Sequence, residues 1–155
     1  MLSLSGIRPH GFFTEEIRES GKRTGFQIKT LEGRTGILSH VDQESSYRVG
    51  RYGVNLEDLE AVAVPAILPR GGAGEMIVID EIGTMELFSE KFKAAVIQVL
   101  DSQANVIATI KQGGHHLIKK IMNRPDVELL ELSLKNRGEI PEQIADSLSR
   151  IKNPF

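Results

Sequence analysis

The run Met76-Ile-Val-Ile-Asp80-Glu81 constrains this chain more than any other stretch. Four apolar residues in a row leave no face of a strand for water. The run therefore reads as a strand buried on both faces, the habit of parallel sheets covered by helices. Two carboxylates leave it at its carboxyl end, where open α/β sheets bind their ligands. An aspartate there can hold a divalent cation, directly or through water, and the adjacent glutamate can polarise a water for attack on phosphorus. This is the pattern of a Walker B element. The same six residues also describe a buried strand whose acids simply exit into solvent, so the hexapeptide alone leaves both readings open.

The residues on either side show which sheet this strand joins. His10 to Ile17 reads as a strand, Phe26 to Leu31 alternates with period two, and Ile37 to Val41 is a third strand. Gly-containing turns at Glu19–Gly25 and Glu32–Gly36 separate them, giving an antiparallel meander over residues 10–41. Asn55 followed by Glu57 and Asp58 marks a helix start, with Pro65 bending that helix and Pro69 ending it. Phe88, Phe92, Val96 and Val99 form one helical stripe, Val106–Ile110 a strand, His115–Asn123 a helix and Val127–Leu132 a last strand. Ile140, Ile144, Leu148 and Ile151 stripe a C-terminal helix with Pro141 in its first turn. Strands alternating with helices over residues 47–153 predict an α/β core, within one domain spanning 1–155.

Composition narrows the function. Nineteen Lys and Arg against 21 Asp and Glu give a net charge of −2, so a dedicated nucleic-acid or membrane surface is not expected. With no cysteine there is no disulfide, no thiolate nucleophile and no cysteine-ligated metal. The apolar run Ala61–Pro69 is nine residues long with two prolines, far short of the ~20 that a membrane helix requires. Met1–Phe13 lacks the pattern of a secretory signal. The expected setting is cytoplasmic.

A Walker B strand calls for a phosphate loop of the form Gly-x-x-x-x-Gly-Lys-Ser/Thr, and these 155 residues contain none. Gly21-Lys22-Arg23-Thr24 comes nearest, but Glu16 stands where the first glycine belongs and a strand pattern follows instead of a helix. Gly71-Gly72-Ala73-Gly74 precedes a strand, which is the wrong order.

Several segments nevertheless stand in a familiar sequence: Gly11–Arg18, Thr24-Gly25-Phe26, Val49–Val54, Ile79-Asp-Glu-Ile-Gly-Thr-Met-Glu-Leu-Phe-Ser89, Ala108-Thr-Ile110 and Lys135-Asn-Arg137. Together they resemble the THEP-type nucleoside-triphosphatases, a group that includes the cancer-related nucleoside-triphosphatase. The resemblance runs from about Gly11 to Leu148. It implies an α/β, P-loop NTPase-like parallel sheet flanked by helices, with the first strand, loop and helix missing here and a small antiparallel meander near the N-terminus. It implies hydrolysis of several nucleoside triphosphates (ATP, GTP and others) with Mg²⁺. Asp80 would coordinate the metal and Glu81 activate the water. Asn136 and Arg137 would lie by the nucleotide, and Arg18 and Arg124 are candidates for a charge-stabilising arginine.

Three departures qualify it. The phosphate loop is absent, and Met1–Gly6 would correspond to the tail of the helix after that loop or to unrelated residues. Thr84 stands where the family has a lysine. Lys111 replaces the proline of its Thr-Ile-Pro segment, ahead of Gly113-Gly-His-His116. Weak or absent hydrolysis by these 155 residues is therefore expected, as a monomer or with weak self-association through an exposed sheet edge. The alternatives are a nucleotide-kinase-like phosphotransferase and a non-catalytic interaction remnant of the fold. His10 and His40 read as structural, His115-His116 as a solvated helix start, and Glu15-Glu16 as a pair of which at most one reaches a site.

Overall fold

Burial falls steeply along the first strand, β1 (His10–Glu19): its first three residues are enclosed, while Glu15, Glu16, Arg18 and Glu19 face water. The structure, a computed structural model, describes residues 8–152. The remaining strands are β2 (Lys22–Thr30), β3 (Thr35–His40), β4 (Arg48–Val49), β5 (Tyr52–Val54), β6 (Met76–Ile82) and β7 (Asn105–Ile110). They form one seven-stranded sheet in the order β4-β5-β3-β2-β1-β6-β7. The β1–β6 and β6–β7 ladders are parallel and the other four are antiparallel. The expected meander is thus continuous with the parallel part of the sheet. Only the enclosed start of β1 pairs with β6, through His10↔Ile77, Gly11↔Val78 and Phe12↔Ile79. Beyond Phe13 the charged half of β1 leaves β6 and continues beside β2, which β3 flanks as far as Gly25, so only the tip at Arg18–Glu19 and Lys22–Arg23 is two-stranded.

After β5 the helical run begins where the sequence places it, with Asn55 Oδ1 accepting the Asp58 N–H at 3.0 Å. It comprises α1 (Leu56–Asp58), a π-helical turn (Leu59–Ala63) and α2 (Val64–Ile67). Pro65 has no N–H to offer the carbonyl of Ala61, and that carbonyl accepts the Arg34 guanidinium instead, at 3.3 Å. Beyond β6 come a 3₁₀ turn (Glu86–Phe88), α3 (Glu90–Leu100), α4 (His116–Met122) and α5 (Ile140–Lys152). Phe12, Ile28, Leu59, Ile67, Ile77, Ile79, Phe92 and Val96 form the centre of the core between sheet and helices. The Phe12 and Phe92 rings meet edge to face, centroids 6.0 Å apart.

His10 is structural, as the sequence suggested. It is buried where β1 enters the core, with Nδ1 2.7 Å from the Ala66 carbonyl and Nε2 2.7 Å from Glu75 Oε1. Burial works against ionisation of Glu75, but the Arg70 and Gly71 amides and His10 outweigh it and hold the carboxyl below its ordinary range. This network ties the 68–75 loop to β1 and α2.

Two sequence expectations need correcting. Phe88 lies outside the helix that its stripe implies. Ser89 Oγ caps α3 by accepting the Phe92 N–H at 3.0 Å, and Phe88 sits in the preceding 3₁₀ turn against Tyr47, ring centroids 5.4 Å apart. Val127–Leu132 is not a strand. Strand propensity produces a strand only where a ladder partner exists, and among the described residues this segment has none. It runs as irregular chain with Leu129 47%, Leu132 63% and the following Leu134 86% exposed. The Met1–Gly6 correspondence lies outside the described residues.

Candidate functional site

Parallel register builds the site. Ile79 pairs with Ala108, so the next residues, Asp80 on β6 and Thr109 on β7, fall side by side at the carboxyl rim. Thr109 Oγ1 donates to Asp80 Oδ1 at 2.7 Å, orienting the carboxylate. Glu81 follows, joined to Asp80 by a cis peptide, and its side chain reaches solvent. Partial desolvation raises its pKa, and the neighbouring Asp80 charge raises it further; Lys111 acts in the opposite sense.

The chain then turns sharply at Gly83, whose N–H donates to Glu86 Oε2 at 3.2 Å. A Cβ on Gly83 would lie 2.8 Å from Glu81 Oε1 and 2.9 Å from Glu86 Oε2. Two carboxyl groups therefore converge on one glycine, and a side chain there would have to push both aside. Glu86 is 2% exposed, and its pKa is pushed up to about 7 by burial, with the charges of Glu81 and Asp80 adding to the shift and the Gly83 amide opposing it.

This arrangement has a consequence for stability. An acid whose folded-state pKa is raised stabilises the fold fully below its unfolded pKa and loses that contribution as pH rises through the folded value. Metal-free protein should lose stability between about pH 4.5 and pH 7 on this account. Glu86→Gln, which keeps an acceptor for the Gly83 amide, should raise stability at pH 8 by about 2 kcal/mol and flatten that slope, as read by denaturant melts.

The rim also carries a cavity of about 260 Å³, bounded by Thr84, Leu87, Phe88, Lys111, His115 and Ile118 among others. Among the described residues no cluster of three or more His, Asp or Glu side chains could hold a metal unaided. The oxygen donors present are the Asp80 and Glu81 carboxylates and the Thr109 hydroxyl. They suit Mg²⁺, which binds through one or two carboxylates and takes its other ligands from water and phosphate oxygens.

The remaining residues singled out by sequence make other contacts. Arg18 bonds Glu16 at 2.8 Å and the Gly21 carbonyl at 3.1 Å in the β1–β2 ribbon. Glu15 is likewise engaged, by Lys29 at 2.7 Å. Arg124 bridges Asp101 and Asp126, each at 2.8 Å, beyond the amino end of β7 and so at the opposite edge of the sheet from Asp80. Asn136 organises the 131–139 turn, accepting the Ser133 N–H at 2.8 Å and donating to the Glu131 carbonyl. Arg137 is exposed. His115 Nδ1 accepts the Leu117 N–H at 3.1 Å and caps α4. Sequence reasoning passed over Thr109, Glu86 and Lys111 as site residues. Thr109 could have been found from the parallel register, which sets it beside Asp80; Lys111 stood out only as a departure from the family pattern, and Glu86 gives no local signal.

Known proteins agree with this geometry. A protein-family profile described as NTPase matches residues 1–145. The nucleoside-triphosphatase THEP1 of Thermotoga sp. (strain RQ2) is 48% identical over 138 residues, covering 89% of this chain and 79% of that protein. The crystal structure of THEP1 from the hyperthermophile Aquifex aeolicus superposes with a TM-score of 0.83 at 42% identity, covering 92% of this chain and 85% of that one. The solution structure of a human cancer-related nucleoside triphosphatase gives 0.76 at 37% identity, covering 90% and 80%. A mixed sheet ending in paired carboxylates and near-full-length similarity to these proteins lead to one conclusion: the chain belongs to the THEP-type nucleoside-triphosphatase family.

Proposed function

We propose that this protein hydrolyses nucleoside triphosphates, ATP and GTP among them, to the diphosphate and phosphate with Mg²⁺ at the Asp80–Glu81 rim. The observation that carries this reading is the Thr109-oriented Asp80 carboxylate with Glu81 beside it at the carboxyl end of a buried parallel strand. Asp80, fixed by Thr109, is the residue that would hold the metal. When bound, Mg²⁺ would supply positive charge to the β- and γ-phosphate oxygens. Glu81 accepts a proton from the attacking water as the water oxygen bonds to the γ-phosphorus. The bond from that phosphorus to the β–γ bridging oxygen breaks, and the diphosphate leaves with the electron pair. A raised pKa suits Glu81 to take that proton.

Asn136 and Arg137 are placed beside the nucleotide on the strength of the family resemblance. Arg18 and Arg124, already held by carboxylates, are not carried into this reading. Because the 155 residues contain no phosphate-loop motif, the backbone amides and lysine that position the phosphates are not supplied by them.

Binding is the direct test. A ligand that binds only the native state stabilises it, by about 2.7 kcal/mol at a hundredfold excess over Kd. Millimolar Mg·ATP should raise the melting temperature above that with Mg²⁺ alone. An unchanged melting temperature overturns the proposal.

A further inference from the structure

Lys111 rests on a neutral hydroxyl close to the acidic rim. Arg18, Arg70 and Arg124 are each engaged by carboxylates. Lys111 follows the last residue of β7, its N–H donating to the Ile82 carbonyl at 3.1 Å, so its backbone is fixed to the β6 terminus. Its ammonium donates to the neutral hydroxyl of Thr84 at 2.7 Å. Both residues are exposed and border the 260 Å³ cavity. The two positions where the sequence departs from the family pattern near the acidic strand thus meet in space.

The charges at the rim explain why a cation is wanted there. Asp80, Glu81 and Glu86 gather within one turn of chain, and a triphosphate brings further negative charge to them. An ammonium resting on a hydroxyl gives up little to turn toward a phosphate oxygen, whereas a guanidinium already paired with a carboxylate must break that pair. We propose that Lys111 leaves Thr84 to contact the terminal phosphate of the nucleotide, making it a phosphate-binding residue of this site. This rests on the nucleotide binding proposed above.

Calorimetric titration of the full chain with Mg·ATP and Mg·ADP separates the possibilities. Lys111→Met is expected to weaken Mg·ATP binding about 10-fold, the scale of one hydrogen bond to a charged group, and to leave Mg·ADP within about 2-fold. Lys111→Arg should retain most of the affinity. The charge-relocating double variant Thr84→Lys with Lys111→Met should restore the preference for the triphosphate, which a purely structural lysine would not allow. An unchanged Mg·ATP affinity in Lys111→Met overturns the inference, as does an equal loss for both nucleotides or a double variant without recovery. If the unsubstituted chain binds neither nucleotide, the proposed function itself is overturned, and this inference falls with it.

Discussion

Glu81→Gln is expected to lower triphosphate hydrolysis by about 10²–10⁴-fold, the usual weight of a positioned general base, with the fold intact. Glutamine has nearly the same shape and reaches solvent at the same point, but it cannot take a proton from water. It also removes a negative charge that Asp80 and partial burial already disfavour. The variant should therefore melt no lower than the unsubstituted chain. Phosphate release followed over hours, with melting curves on both proteins, separates lost chemistry from lost structure. Equal release by both proteins removes Glu81 from the reaction and leaves the acidic pair as a strand end.

The largest effect on folding is expected at Gly11. This residue holds φ at +125°, and a Cβ there would lie 1.9 Å from the backbone carbonyl oxygen of Val78, its ladder partner on β6. A flexible side chain could move aside; a ladder carbonyl cannot move without parting the strands. Gly11→Ala should therefore cost more than about 4 kcal/mol, beyond the ordinary range of single substitutions, and leave the chain largely unfolded at 37 °C. Gly50→Ala is the control. It also has positive φ, at +57°, but nothing lies within 4 Å of its added Cβ, so its cost should be only the conformational ~1 kcal/mol. Comparable melts for the two variants would show that the β1–β6 contact is not as close as described.

The acidic strand, the helix cap at Asn55 and the alternation of the meander were legible because each is written within a few neighbouring residues. The α3 stripe was legible from Phe92 onward and misleading at Phe88, because Ser89 caps the helix and periodicity does not register caps. Val127–Leu132 has strand-like residues, but a strand needs an edge to pair with, and that is a property of the whole sheet. The pairing of Lys111 with Thr84 spans 27 positions, and that of His10 with Glu75 spans 65. No local pattern encodes either. What joins them is the parallel register of β6 with its neighbours, which also brings Thr109 to Asp80.

That register gives the sheet a seam. Among the described residues, only the three pairs from His10↔Ile77 to Phe12↔Ile79 connect the antiparallel strands to the strands bearing the carboxylates. This short line, backed by Phe12 against Phe92, is the hydrogen-bonded link between the two parts of the sheet. Amide protons along it should be among the last to exchange with deuterium, because releasing them requires global opening, whereas the β1–β2 hairpin tip beyond Ile17 can fray independently. A tether pulling on the hairpin tip should peel it back to Ile17 and then meet the three-stranded part, with the seam as the last line of hydrogen bonds to part.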